Sequence, residues 1–134
     1  MQKNIYIDID GVILTRGGMP ALHLDKFLGY ILKKYSIFWL TSRCRGDSKY
    51  TVSYLSQFLD PYTLKLITSI KPTSFQVDKT EAIDFTRRFI WLDDFIFASE
   101  KNTLVARGQL DSWIEVDLIK NPDQLFDLMS RNFA

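Results

Sequence analysis

Apolar positions along the chain fall into short buried runs and longer stripes, and the two kinds alternate. Residues 4–9 (Asn-Ile-Tyr-Ile-Asp-Ile) predict a buried strand ending in acid. Gly11, Gly17, Gly18 and Pro20 mark a turn or small hairpin. Leu24, Phe27, Leu28, Ile31, Leu32 and Tyr35 then fall on one face of a helix. Residues 37–40 (Ile-Phe-Trp-Leu) predict a second strand, stopped by Thr41-Ser42-Arg43. Asp47 caps a helix with Val52, Leu55 and Phe58 or Leu59 inside, and Pro61 helps to end it. Residues 64–67 (Leu-Lys-Leu-Ile) predict a third strand. Asp78 and Glu81 have the spacing of a capping box and predict a helix start. Residues 89–92 (Phe-Ile-Trp-Leu) and 113–116 (Trp-Ile-Glu-Val) predict the fourth and fifth strands. Asn121-Pro122 starts a last helix with Leu125, Leu128 and Met129 inside.

Alternating strands and helices predict an α/β domain of three layers: a doubly wound, Rossmann-like, mainly parallel sheet of five strands. In such sheets ligands bind outside the carboxyl ends of the strands. Those ends carry Asp8-Ile9-Asp10-Gly11, Thr41-Ser42-Arg43 and Asp93-Asp94, and Lys79 opens the third helix. Four carboxylates in one crevice would raise one another's pKa values. A divalent cation relieves that, and oxygen ligands without His or Cys favour Mg²⁺. A cation, an ammonium and a hydroxyl together suit a phosphoryl group. Asp8 and Asp10 stand two apart on a strand and could face the same way, while Gly11 lets the chain turn.

Composition narrows the class. The chain has 134 residues, 46% of them hydrophobic and 25% charged, which predicts one globular domain over residues 1–134. A net charge of +1 makes no global case for nucleic acid, though a local patch is open. One cysteine excludes an intramolecular disulfide, and one histidine excludes a multi-histidine metal site. No apolar run approaches the ~20 residues of a membrane span. Asp8 interrupts any signal-peptide core. The expectation is a soluble cytoplasmic protein without a membrane partner.

Asp8-x-Asp10-Gly11-Val12, Thr41-Ser42-Arg43 after a hydrophobic strand, Lys79, and Leu92-Asp93-Asp94 together resemble the four motifs of the haloacid dehalogenase superfamily, in the family's order. The resemblance implies hydrolysis through an aspartyl phosphate. Asp8 would be the nucleophile, and Asp10 the acid that protonates the leaving oxygen and then the base that activates water. Thr41 and Lys79, with Ser42 and Arg43 beside Thr41, would bind phosphoryl oxygens. Asp8, the Asp10 carbonyl, and Asp94 or Asp93 would hold Mg²⁺. The second acid, Asp10, fits phosphatases rather than dehalogenases.

The family usually has a cap domain, but residues 11–36 and 42–78 leave no room for one, only for a small flap at Thr15–Pro20. An open site implies a macromolecular substrate, such as a nucleic-acid end or a protein, or a lid from an oligomeric partner. The Trp-Leu-Asp-Asp strand and short C-terminal segment are similar to the capless domains of Swiss-army-knife RNA repair proteins, which points toward polynucleotide phosphate ends. Arg43, Arg45 and Lys49 could reach an extra phosphate.

Simpler readings stand beside these. Lys71 rivals Lys79, and Lys79 could be a surface lysine. Cys44 reads as structural, His23 as a surface or cap residue, and Trp39 and Trp91 as core. Tyr30, Tyr50 and Tyr54 could pack, face solvent or stack on bases. The rival functions are a non-catalytic binding or regulatory domain of the same fold and a metal-dependent nuclease. A phosphoacceptor receiver domain has its acids in a different order along the chain.

Overall fold

The computed structural model describes residues 3–131. Four strands, β1 (Asn4–Ile7), β2 (Ser36–Trp39), β3 (Phe89–Asp93) and β4 (Trp113–Glu115), form one parallel sheet in the order β2-β1-β3-β4. The helices are α1 (Leu24–Lys34), α2 (Ser48–Leu55), α3 (Pro61–Ile67), α4 (Ala98–Ala106) and α5 (Gln124–Ser130). The fold is therefore α/β with a parallel sheet, as the alternation of elements predicts.

Both faces of the sheet are covered, so its strands lack a polar side. Ile5 and Ile7 of β1, with Ile90 and Leu92 of β3, join the larger apolar cluster, which includes Phe27, Leu28 and Ile31 of α1. Tyr6, Phe89 and Trp91 point the other way, into a second cluster with Leu104 of α4. The alternation is the two-residue period of a strand. α1 packs against α3 and α5. Its inward stripe, Leu24, Phe27, Leu28 and Ile31, is the one its spacing predicts.

The sheet has four strands, not five. Residues 64–67 belong to α3. Pro61 stands in its first turn, and the Asp60 carboxylate accepts from the Thr63 N–H at 2.7 Å. A start with a cap and an early proline decides for helix where four apolar-rich residues cannot. Pro61 thus opens a helix rather than closing the one before it. The place of the missing strand, on the outer edge of β2, holds a single bridge. Lys71 N–H donates to Ile37 O at 2.9 Å, and Trp39 N–H to Lys71 O at 2.8 Å. Pro72 follows and has no N–H to extend the ladder.

Three further differences concern helices. The start at Asp78 makes only a 3₁₀ turn, Lys79–Ala82. α5 begins at Gln124, two residues after Pro122, with Asp123 rather than Asn121 at its N-cap. Residues 98–106 have no apolar stripe and yet form α4, whose buried residues are Glu100 and Leu104. Thr15–Pro20 forms the small hairpin expected there: Thr15 N–H donates to Met19 O at 2.7 Å, and Leu14 pairs with Pro20. No described helix is long and apolar enough to cross a membrane.

Candidate active site

After β1 the sheet grows to one side through β2 and to the other through β3. The switch point, where doubly wound sheets open a crevice, therefore lies between β1 and β3. β1 runs into Asp8 and β3 ends in Asp93. The pair Ile7–Leu92 sets the two acids side by side, and Asp8 N–H donates to Leu92 O at 3.2 Å.

Lys79 reaches between these acids. Its Nζ lies 2.6 Å from Asp93 Oδ2 and 3.2 Å from Asp8 Oδ2. Asp93 is buried and also accepts from Trp91 Nε1 at 3.2 Å and Phe95 N–H at 3.3 Å. Asp8 Oδ1 accepts from Ile9 N–H at 2.8 Å. Carboxylate oxygens of Asp8, Asp93 and Asp94 all lie within 4.8 Å of one another. Burial and the mutual charges of Asp8, Asp93 and Lys79 shift the pKa values here. Burial, and next the charge of Asp8, push Asp93 up to about 8 against the pull of Lys79. Burial alone would lower Lys79, but Asp8 and Asp93 outweigh it and hold the ammonium above its ordinary value. Three oxygen donors with excess negative charge suit a hard divalent cation.

Asp94 is placed by Gly11. Gly11 has φ +85°, and a Cβ there would collide with the Asp94 carboxylate. Glycine alone permits both the turn and this approach. Asp94 Oδ2 also accepts from Arg16 Nη2 at 2.7 Å, an exposed arginine on the hairpin. Asp10, beyond the strand, is half exposed and takes Arg43 Nε at 2.9 Å. That hydrogen bond outweighs burial and raises the Arg43 pKa further.

Thr41 is buried at the same sheet edge, where Leu40 N–H donates to Ile7 O at 2.8 Å. Its hydroxyl accepts from Arg43 N–H at 3.2 Å. Ser42 is exposed and lines a groove with Asp10 and Arg43. The structure therefore brings Asp8, Lys79, Asp93 and Asp94 together, and puts Asp10 and Thr41 just past the ends of β1 and β2 at the same edge of the sheet. Lys71 is not among them: its Nζ lies 5.5 Å from the Phe38 ring, on the outer edge of β2.

Glu100 was not singled out by sequence reasoning. Its carboxylate is buried in α4 and accepts from Lys79 N–H at 2.6 Å and Phe97 N–H at 2.8 Å. It fixes the backbone from which Lys79 reaches the acids. The signal was a lone acid in a segment without a stripe, which reads as a solvated face. Arg16 was missed because its partner is 78 positions away. Of the remaining residues, Cys44 and Trp39 are buried. His23 Nε2 pairs with Asp123 Oδ1 at 2.8 Å on the surface. Comparison of the chain with protein-family models, curated proteins and solved structures finds no match.

Proposed function

We propose that the protein is a Mg²⁺-dependent phosphohydrolase of the haloacid dehalogenase kind, with Asp8 as nucleophile. The observation that carries this reading is the ammonium of Lys79 set between Asp8 and Asp93, with Asp94 within ligand reach, at the switch point of the sheet. Three motif segments distant in sequence, at Asp8, Lys79 and Asp93-Asp94, meet where the fold places ligands.

Each residue has one task. Asp8 attacks phosphorus, forming an aspartyl phosphate as the bond to the leaving oxygen breaks. Asp10 gives that oxygen its proton. It then takes one from a water that attacks the aspartyl phosphate, which releases phosphate and restores Asp8. An incoming phosphate draws Arg43 from Asp10 and frees the acid for this transfer. Lys79 and Thr41 hold phosphoryl oxygens. Asp94 is the better direct ligand of the cation, because its one partner among the described residues is an exposed arginine while Asp93 already serves Lys79, Trp91 and Phe95. Asp8, Asp94 and the Asp10 carbonyl would hold Mg²⁺, which would supply positive charge to the transferring group.

The substrate is a phosphate monoester, and the Thr15–Pro20 hairpin reaches the site through Arg16, which pairs with Asp94. The test is phosphate release from an aryl phosphate with Mg²⁺ and with EDTA, for the native protein and Asp8→Asn. Metal-dependent release that Asp8→Asn abolishes is expected. Release that survives Asp8→Asn overturns the covalent route, and no release from any monoester overturns the phosphohydrolase.

A further inference from the structure

We infer that Arg16 and the divalent cation compete for Asp94, so that loading the cation site releases the tip of the Thr15–Pro20 hairpin. Arg16 is then a built-in latch, and the cation is what opens it. This inference rests on the reading of Asp8 and Asp94 as cation ligands. It concerns a residue that no sequence motif marks and that the proposed chemistry leaves without a task.

Geometry sets the competition. Arg16 Nη2 lies 2.7 Å from Asp94 Oδ2, and carboxylate oxygens of Asp94, Asp8 and Asp93 lie within 4.8 Å of one another. A guanidinium held there stands beside the space that an ion bound by these oxygens would fill. Charge decides which of the two stays. Three carboxylates are matched by the Lys79 ammonium and one divalent cation, so Arg16 is the charge in excess once the site is loaded. Like charges at this range repel. Asp94 is the fixed partner: its side chain is 17% exposed and packs on Gly11, whereas the Arg16 side chain is 68% exposed. A guanidinium that is already largely solvated loses little by leaving.

The hairpin is built to let go at its tip. Val12, Ile13 and Leu14 are buried, and Gly11 N–H donates to Leu14 O at 2.7 Å, so the stem is anchored in the core. Beyond the stem Arg16, Gly17 and Met19 are exposed. Arg16 and Asp94 together wall a cavity of about 200 Å³, to which Glu115 and Asp117 also contribute. A displaced Arg16 therefore keeps carboxylates beside it, and leaving Asp94 does not strand its charge. The same displacement removes one wall of the cavity and opens the approach to Asp94.

The experiment is calorimetric titration with Mg²⁺ of the native protein, Arg16→Ala and Arg16→Gln. Its second readout is the rate at which phenylglyoxal modifies Arg16, mapped by mass spectrometry with the other arginines as controls. Removing the competitor should tighten Mg²⁺ binding roughly two- to fivefold in both variants, the size of an exposed ion pair. Coupling is reciprocal, so saturating Mg²⁺ should free Arg16 and speed its modification in the native protein by a similar factor. In Asp94→Asn, Arg16 should react at the faster rate with or without Mg²⁺. Equal Mg²⁺ affinity in the native protein and the variants overturns the inference. Weaker binding in the variants overturns it too, and makes Arg16 a support for Asp94 instead. A modification rate that Mg²⁺ leaves unchanged also overturns it. If neither the native protein nor the variants bind Mg²⁺, the cation reading has failed and the latch falls with it. Binding in the variants alone upholds both.

Discussion

At the residue scale the site is a problem of charge. A cation-free protein keeps Asp93 protonated up to about pH 8, whereas the unfolded chain ionises it from its ordinary value of 3.8. Over that interval the unfolded state holds fewer protons, so stability falls as pH rises. The expected outcome in EDTA is a melting temperature that declines from pH 5 to pH 8. Asp93→Asn, which cannot ionise, should flatten the decline; an unchanged slope would place the proton elsewhere. Gly11→Ala should cost about 1–2 kcal/mol for the left-handed backbone. It should also weaken cation binding by displacing Asp94, which titration calorimetry would measure. Asp8→Asn should lose on the order of 10³-fold or more in kcat while leaving the fold intact, since nucleophile loss is of that size or larger.

At the element scale, the sequence was legible where one period ran long enough. The stripe of α1 holds over several turns, and β1 and β3 have apolar runs that end in acid. Residues 64–67 failed because four residues fit either period, and Asp60 and Pro61 decided for helix. Asp60→Ala should therefore destabilise the protein by about 1 kcal/mol through the lost cap, measurable by denaturant unfolding; a strand there would be indifferent. α4 was illegible for a different reason: one of its two inward groups is Glu100, which is charged. Buried acids follow from partners, and the partners of Glu100 are backbone N–H groups that no pattern displays. Glu100→Ala leaves two N–H groups without acceptors, at about 1–3 kcal/mol each. The Lys79 turn should loosen with it, so kcat should fall with little change in the circular dichroism of the sheet.

At the scale of the whole molecule, the four motifs were readable as a set, and the structure gathers them at one edge. What pattern could not supply is the pairing of arginines with acids, Arg16 with Asp94 and Arg43 with Asp10, because those contacts depend on how loops return over the sheet. A cation that binds only the folded protein adds about 2.7 kcal/mol at a hundred times its dissociation constant. For a domain of this size that is on the order of 10 °C in melting temperature. Mg²⁺ should produce such a rise in the native protein and a smaller one in Asp94→Asn, read by thermal unfolding.

The pairing of β1 with β3 also sets when the protein becomes competent. Asn4 lies beside Phe89, so the two central strands come from distant parts of the chain. Loop closure must precede the reward of that contact, which makes such pairings slow to form. As the ribosome extends the chain, β1 with its isoleucines emerges before β3 and waits for that neighbour. Asp8 and Asp93 meet only when that wait ends. Partly made chains and kinetically trapped ones therefore lack the assembled acid cluster, and on the phosphohydrolase reading the first turnover on refolding should report closure of the central sheet.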